Sequence, residues 1–339
     1  MSKVTIIIVN WNGREHLPDC LDSLATQTFR DFETVLVDNG SVDDSVAFVQ
    51  ERYPWVQIVS CNENTGFATG NNIGLAHAGG DFIVTLNNDT RVETDWLTRL
   101  VQVAEAHPGA GMVGSRICSF TDPDLIDSLG IEICRDGMSR GRFRNQRWSS
   151  LQMQEVEEIL LPSACAALYR REMVAEIGFF DDDFFAYAED TDLGLRGRLA
   201  GWGALLATRA VVYHKYSQSS GFLSPLKLRL VERNHYWVAI KSFPLPDLLA
   251  LPWFTLWRYG EQLRGVLCKR GTGGAFLRQE SPSALVRALL LGMLQALAGT
   301  PRMWGKRRQL LRSQHPSRAM MTQLLRRHRL TFRELLKYD

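Results

Sequence analysis

Leu86-Asn87-Asn88-Asp89-Thr90 follows Asp81-Phe82-Ile83-Val84-Thr85, a short apolar run that reads as a strand. A carboxylate, Asp89, therefore sits just past a strand's C-terminal end, the edge where ligands bind in open α/β sheets. A hard divalent cation takes oxygen ligands and often keeps only one or two carboxylates, with substrate phosphates completing its shell. A second acidic cluster, Glu189-Asp190-Thr191-Asp192, lies far downstream, and His214 closes the apolar run Ala210-Val211-Val212-Tyr213. His214 is thus a candidate metal ligand at another strand end. The combination points to metal-assisted chemistry on a phosphate-bearing substrate.

Other segments join this pattern. Val9-Asn10-Trp11-Asn12-Gly13 closes one apolar strand and Val37-Asp38-Asn39-Gly40-Ser41 closes the next, so both loops face one crevice. Asp38 could accept hydrogen bonds from a base or ribose, or could serve an Asx turn, for which Asp-Asn-Gly-Ser is good chemistry. Asn64-Thr65-Gly66-Phe67-Ala68-Thr69-Gly70-Asn71-Asn72-Ile73-Gly74 resembles a Gly-rich phosphate loop before a helix. It is neither G-x-G-x-x-G nor a P-loop with its Lys, and a plain helix-entry loop is an equal reading. In Phe184-Phe185-Ala186-Tyr187-Ala188-Glu189-Asp190-Thr191-Asp192, Asp190 or Thr191 sits where a helix N-cap would be. Flanking aromatics would desolvate Asp190 and tune it as a base. Alternatively, the acids simply complement a helix dipole. Asp192 and Arg196 are spaced to pair on one helix face.

The elements that must carry these residues alternate. Strands are expected at Val4–Val9, Thr34–Val37, Val56–Val59 and Phe82–Leu86. Helices are expected at Arg14–Gln27, Asp43–Tyr53, Asn71–Ala78 and Glu93–His107, with Asn62–Gly70 as a loop. Such interleaving implies a mostly parallel sheet with crossover helices. Residues 120–158 read as irregular, Asp190–Ala200 as a helix, Ala204–Tyr213 as a strand, and everything after Ser224 as helical.

Charge divides the chain. Arg258–Asp339 holds 17 Lys/Arg against 4 Asp/Glu, a net +13, and residues 1–257 hold 22 against 33, a net −11. Such a basic tail suits an anionic partner. Leu245–Trp257 and Ser283–Ala298 are strongly apolar, but Pro246, Asp247 and Pro252 interrupt the first and Arg287 and Gln295 the second. Neither is expected to span a bilayer. Trp253, Trp257, Tyr259 and Trp304 lie among Arg258, Arg264, Arg302, Lys306, Arg307 and Arg308, a mixture that suits an anionic membrane surface better than nucleic acid. The alternative for these helices is homo-oligomerisation or a solvated basic face. The six cysteines show no C-x-x-C or zinc-like spacing and read as reduced thiols of a cytoplasmic protein, and no signal peptide is expected.

Taken in order, the quoted segments from Val4 through Asn10-Trp11-Asn12-Gly13, Asp38-Asn39-Gly40-Ser41, Asn64–Asn72, Asn87-Asn88-Asp89 and Glu189-Asp190-Thr191-Asp192-Leu193 resemble the family-2 glycosyltransferases, in their bacterial rhamnosyltransferase-like branch. The resemblance covers roughly residues 3–240. It implies an α/β GT-A fold, with a Rossmann-like sheet flanked by helices and a C-terminal helical extension. The catalytic domain would occupy 1–223, with a nucleotide-sugar half at 1–118 and an acceptor half at 119–223, before a basic helical region at 224–339. It further implies inversion at the anomeric carbon, a divalent metal (Mn²⁺ or Mg²⁺) on Asp89 and His214, and Asp190 as general base beside Glu189. Asn10, Asn12, Asp38, Asn64, Gly66, Asn71 and Asn88 would line the donor. Asn87 stands where the family's D-x-D motif has its first acid, so Asp89 carries most of the expected metal contact. Donors implied are dTDP-rhamnose or a UDP-sugar. The acceptor would be a glycan or lipid-linked glycan of cell-surface polysaccharide synthesis, worked on from the cytoplasmic face of the membrane. A nucleotidyltransferase or nucleotide-sugar-binding protein would show a basic Gly-rich loop after the first strand, and Asn10-Trp11-Asn12-Gly13-Arg14 offers a single Arg. A dehydrogenase would show G-x-G-x-x-G there.

Overall fold

The computed structural model describes residues 2–215, 224–268, 281–314 and 318–337. The chain forms two compact units: Met1–Ile131 with Gly141–Ser219, and Glu132–Arg140 with Ser220–Asp339.

The first unit is built on one mixed sheet. In chain order its elements are β1 (Val4–Asn10), α1 (Leu17–Ala25), β2 (Phe32–Asp38), α2 (Ser45–Arg52), β3 (Val56–Ser60), α3 (Gly66–Ala76), β4 (Phe82–Leu86), β5 (Thr90–Val92), α4 (Trp96–Ala106), β6 (Ala110–Ser119) and β7 (Ile126–Ser128). After a small separate sheet of β8 (Ile131–Ile133) and β9 (Ser139–Gly141) come β10 (Val156–Glu158), β11 (Ala166–Arg170), α5 (Arg171–Ile177), α6 (Glu189–Leu199) and β12 (Gly203–His214). The main sheet runs β10-β12-β6-β11-β4-β1-β2-β3, with β5 paired to β12 and β7 to β6. The β3-β2-β1-β4 half is parallel. Strand β11 then enters antiparallel between β4 and β6.

Both faces of this sheet are covered, which is why its central strands are predominantly apolar. Successive side chains point to opposite faces. Ile6, Ile8, Val84 and Leu86 meet Leu17, Leu21 and Leu24 of α1 and Trp96, Leu97 and Leu100 of α4. On the other side Ile7, Val35 and Val37 share a cluster with Ala68, Tyr169 and Leu193. Trp96 is fully buried and donates from Nε1 to Ser115 Oγ at 2.8 Å. Truncating a core aromatic of this kind costs about 3–5 kcal/mol.

Several elements differ from expectation: residues 120–158, read as irregular, carry the short strands β7, β8, β9 and β10, and two helices shift their starts most tellingly. Helix α1 starts at Leu17 rather than Arg14, with Pro18 in its first turn where a missing N–H costs nothing. Helix α3 starts at Gly66, five residues earlier than expected, so the Gly-rich segment is helix rather than loop. Packing overrides propensity there: a Cβ on Gly74 would collide with Ile7 of β1.

The second unit is helical: α7 (Pro225–Ser242), α8 (Leu245–Leu267), α9 (Pro282–Gln314), α10 (Arg318–Arg327) and α11 (Phe332–Leu335). Ser224 caps α7, its Oγ accepting from Lys227 N at 3.2 Å. Arg258 on α8 is completely buried, donating to Asp136 Oδ2 at 2.5 Å and Glu232 Oε1 at 3.0 Å. Breaking such a pair costs about 3–5 kcal/mol. The outward face of α8 is apolar along its length: Leu245, Leu249, Trp253, Leu256, Trp257, Leu263 and Leu267 are all exposed, Trp253 by 77%. Helix α9 exposes Val286, Leu290, Leu294 and Leu297 in the same manner. The expectation that the Ser283–Ala298 stretch is too short to span needs correction. The helix runs on through Pro301, and Pro282–Arg312 is long and apolar enough to cross a membrane by length and composition.

Candidate active site

The C-terminal ends of β1, β2 and β4 converge as expected from register. Asn10 pairs with Asp38 across β1 and β2. Asn10 is buried, and its Nδ2 donates to Asp38 Oδ1 and Ser41 Oγ at 3.3 Å each. Its Oδ1 accepts from Asn88 Nδ2 at 2.8 Å, which ties the end of β4 to the end of β1. Asp38 Oδ2 accepts Ser41 N at 3.1 Å, the Asx turn the sequence allowed. Asn12 has φ 49° and bridges the same loops, donating from N to Ser41 Oγ and accepting Val42 N at Oδ1. Asn10, Asn12, Asp38 and Asn88 therefore form one network.

Asn64, Gly66 and Asn71 lie on the loop and helix that follow β3. Asn64 Oδ1 accepts Gly66 N at 2.9 Å, and Asn39 Oδ1 accepts Thr65 N at 3.0 Å. Ala68 N donates to Phe185 O at 3.0 Å. The N–H groups a phosphate would need at this helix start are largely taken by protein acceptors. Gly66 has φ 86°, and a Cβ there would lie 2.5 Å from Phe185 O. Asn71 is buried on α3, its Nδ2 turned back to Phe67 O at 2.9 Å. Farther along α3, Thr69 and Asn72 both donate to Asp182 Oδ1 at 2.8 Å. The Gly-rich segment is thus the clamp that holds the turn leading into Glu189-Asp190.

That turn is strained. Phe185, Tyr187 and Ala188 all have positive φ (63°, 70° and 62°), which non-glycine residues rarely adopt and which concentrates at functional sites. The N-cap of α6 is Ala188, not Asp190 or Thr191, so both acids lie inside the first turn. Asp190 is partly exposed. Its Oδ1 accepts Thr191 N at 2.7 Å and its Oδ2 accepts Ala164 N at 3.3 Å. Glu189 is buried, and its Oε2 has no hydrogen-bond partner among the described residues. Burial raises both carboxyls, and the charge of Asp190 raises Glu189 further, well above the usual range. The backbone N–H groups of Ala164 and Thr191 oppose the rise at Asp190. Of the two, Glu189 is the more strongly raised, and the N–H donors favour charge on Asp190. Asp192 is fully buried against Arg196, Oδ2 to Nε 2.8 Å, and Arg196 also donates to the carbonyls of Ile177, Gly178 and Phe179. Asp192 thus takes the structural role that its spacing to Arg196 suggested.

Asp89 and His214 meet because β5 pairs with β12, setting Thr90 against His214. Asp89 Oδ1 lies 3.2 Å from His214 Nε2, and His214 Nδ1 lies 2.7 Å from Asp127 Oδ2. Asp127 Oδ1 in turn pairs with Arg144 at 3.2 Å. Burial disfavours the imidazolium, but Cys165, Asp127 and Asp89 hold the His214 proton well above its ordinary value. Burial alone would raise Asp89, yet the hydrogen bond and charge of His214 keep it below the usual carboxylate range. Asp127 was missed from sequence because a lone Asp in the polar 120–158 stretch carries no local signal. Asn87 donates from N to Cys165 O at 2.8 Å, and its half-buried side chain makes no hydrogen bond among the described residues. Consecutive residues thus link the two acid corners: Ala164 holds Asp190, while Cys165 contacts both Asn87 and His214.

The residues that would hold a divalent ion fit one. Two ligands about 2.1 Å from an octahedral centre stand about 3 Å apart, close to the Asp89–His214 separation. The second imidazole nitrogen is held by a carboxylate, as ligating histidines usually are. Among the described residues no group of three metal-binding side chains exists, so phosphate or water must complete the shell.

A sheet of this order, with acidic strand ends and an acid pair opening a downstream helix, is the GT-A fold of nucleotide-sugar-dependent transferases. The chain is similar to GalNAc-T7 solved with UDP, GalNAc and Mn²⁺ (TM-score 0.60, 16% identity, covering 72% of this chain and 49% of that one). It is also similar to a mannosyltransferase from Pyrobaculum calidifontis in complex with GDP-Man and Mn²⁺ (TM-score 0.54, 18% identity, 90% and 88% covered). Residues 5–178 match the model described as glycosyl transferase family 2, and the chain belongs to that family. Among characterised relatives it is 29% identical over 239 residues to the N-acetylglucosaminyl-diphospho-decaprenol L-rhamnosyltransferase of Mycobacterium tuberculosis, covering 64% of this chain and 77% of the relative. It is 26% identical over 189 residues to the glycosyltransferase GlyA of Streptococcus pneumoniae, covering 52% and 26%.

Proposed function

We propose that this protein is an inverting, metal-assisted glycosyltransferase that moves rhamnose or a hexose from dTDP-rhamnose or a UDP-sugar to a glycan or lipid-linked glycan acceptor. The observation that carries this reading is the pair of dissimilar acid corners joined through Ala164 and Cys165. Asp190, ionised and partly exposed, takes the proton of the acceptor hydroxyl. That hydroxyl attacks the anomeric carbon opposite the nucleotide, and no covalent enzyme intermediate is needed. Asn10, Asn12, Asp38 and Asn88 shape the donor side. A divalent ion on Asp89 and His214 would neutralise charge on the leaving diphosphate. The test is a nucleotide-sugar panel, with and without Mn²⁺ or Mg²⁺, read by calorimetric binding and slow donor hydrolysis. Metal-dependent recognition of one donor is expected. Equal binding with and without metal would remove the ion from the mechanism, and binding of no donor would remove the transferase reading.

The same reading places the enzyme at an anionic membrane surface on the cytoplasmic face. Its support is the exposed apolar face of α8, with Trp253 and Trp257, and the exposed Arg302, Arg308 and Arg312 on α9. Amphipathic helices with aromatic and basic residues bind interfaces of this kind. Co-sedimentation with phosphatidylglycerol vesicles, lost in Trp253→Glu or Leu256→Glu, is the expected result. A dimer in light scattering that these substitutions disperse, with no vesicle binding, would assign the face to a second copy instead.

A further inference from the structure

Arg116 stands apart from the other half-buried or buried arginines of the first unit. Arg142, Arg144, Arg170 and Arg196 each donate to carboxylates or carbonyls. Among the described residues the Arg116 guanidinium has no hydrogen-bond acceptor and no ion-pair partner, and its Nε is buried. A buried donor is nearly always paired, so the unpaired Nε of this half-buried guanidinium calls for an explanation. The neighbouring loop acids do not supply it. Asp124 is taken by Arg147, 3.2 Å away, and by the backbone and hydroxyl of Ser149 at 2.8 Å, while Asp127 is taken by Arg144 and His214.

What fixes Arg116 is a ring. Its Cζ lies 4.2 Å from the centroid of Trp148, a cation–π contact that orients the guanidinium without using its N–H groups. Trp148 packs into the same cluster as Leu193 of α6, the helix that carries Asp190. Register places the cation too. Leu168 faces Val113 and Ala167 faces Gly114 across β11 and β6. Arg116 lies two residues past that paired stretch on β6, and Ala164, whose N–H holds Asp190, lies three residues before it on the chain of β11. A planar cation preset by a ring therefore stands on the strand next to the segment that holds the base.

We propose that Arg116 receives a phosphoryl group carried by the acceptor, with the Trp148 ring as the wall that holds the guanidinium in place. This rests on Asp190 being the base of the transferase reading. A guanidinium offers a fork of donors that matches phosphate oxygens, and such charge-assisted bonds are the strong ones. The phosphoryl group can belong to a lipid diphosphate or to a phosphorylated glycan, and the test separates these.

The experiment compares three acceptors bearing the same terminal sugar: a short polyprenyl-diphosphate, a neutral alkyl glycoside, and a glycan phosphate without lipid. Wild type is expected to favour a phosphorylated acceptor. Arg116→Gln should raise the KM for that acceptor by about tenfold to a hundredfold, the worth of a hydrogen bond to a charged group. It should abolish the preference over the alkyl glycoside, with kcat and donor KM near wild type. Arg116→Lys should restore part of the preference, and Trp148→Ala should lose part. Thermal melting supplies an independent check: because Arg116 makes no hydrogen bond, Arg116→Gln should leave Tm unchanged or raise it. An unchanged acceptor KM overturns the proposal. A rise in donor KM instead reassigns the cation to the donor diphosphate and overturns it equally. Wild type that transfers to none of the three would fault the underlying reading of the base and not Arg116.

Discussion

The two acid corners of the site use the same functional group in opposite electrostatic states. At Asp89 a carboxylate is buried beside an imidazole whose other ring nitrogen is held by Asp127, which favours its proton against burial. The result is a carboxylate held low. At Glu189-Asp190 a buried and a half-buried carboxyl adjoin with no ion-pair partner among the described residues, and desolvation pushes both upward. Only the N–H donors of Ala164 and Thr191 separate them, favouring charge on Asp190. One corner thus holds a carboxylate toward its charged form beside an imidazole, and the other pushes a carboxyl pair toward its neutral form. What decides between these roles is the partner that each fold neighbourhood brings, not the residue type.

The comparison breaks most sharply at Asp190. Asp190→Asn keeps the volume and removes the proton acceptor, so transfer should fall by about 10²–10⁴-fold while donor affinity stays. Single-turnover kinetics with calorimetric donor binding would show this, and near-normal turnover would place the base elsewhere. Asp89→Ala acts on the other corner. It should abolish the metal dependence of donor binding and weaken that binding, leaving proton transfer chemistry intact once donor is saturating. Unchanged metal-dependent binding would remove Asp89 from the ligand set. Asp127→Asn is the milder version. It leaves both candidate ligands but loosens the imidazole, for which losses of about 10–100-fold in metal affinity are usual. Mn²⁺ titration followed by electron paramagnetic resonance would measure it without any turnover.

The corners differ also in how far the sequence disclosed them. Asp89 and Asp38 were legible because strand-end turns are local and a parallel sheet sends its C-terminal ends to one edge. The acid pair was legible as a first helical turn, although the cap itself was not. Phe185, Tyr187 and Ala188 carry no Gly or Asn signal for their left-handed conformations, which are imposed by α3 through Ala68, Thr69 and Asn72. Gly66-Phe67-Ala68-Thr69-Gly70 reads as loop by propensity, and only close packing on β1 and Phe185 makes it helix. Asp127 needed the β6–β7 and β6–β12 pairings to bring it to His214 across 87 residues. The antiparallel entry of β11 likewise depends on strand pairing at a distance, which periodicity does not encode. Pro282–Arg312 is a candidate membrane-crossing helix by length and composition, although beyond Ala298 it adds Arg302, Lys306, Arg307, Arg308 and Arg312.

The smallest expected effect sharpens the comparison most. If Glu189 is neutral while Asp190 titrates, Glu189→Gln substitutes a neutral group for a neutral group, and kcat/KM at neutral pH should change by less than about tenfold. The acid limb of the pH profile should remain, since it belongs to Asp190. Its midpoint should lie above the ordinary Asp value of about 4, because burial raises the folded-state carboxyl. Activity is lost as pH falls through that raised midpoint. Stability has the opposite sign. A carboxyl raised in the folded state contributes stability that is fully present below its unfolded value and lost as pH rises through the folded one. Glu189 is the more strongly raised of the two, so wild type should lose Tm with rising pH more steeply than Glu189→Gln. A pH profile whose acid limb disappears in Glu189→Gln would reverse the assignment, making Glu189 the ionising base and Asp190 its hydrogen-bonded support.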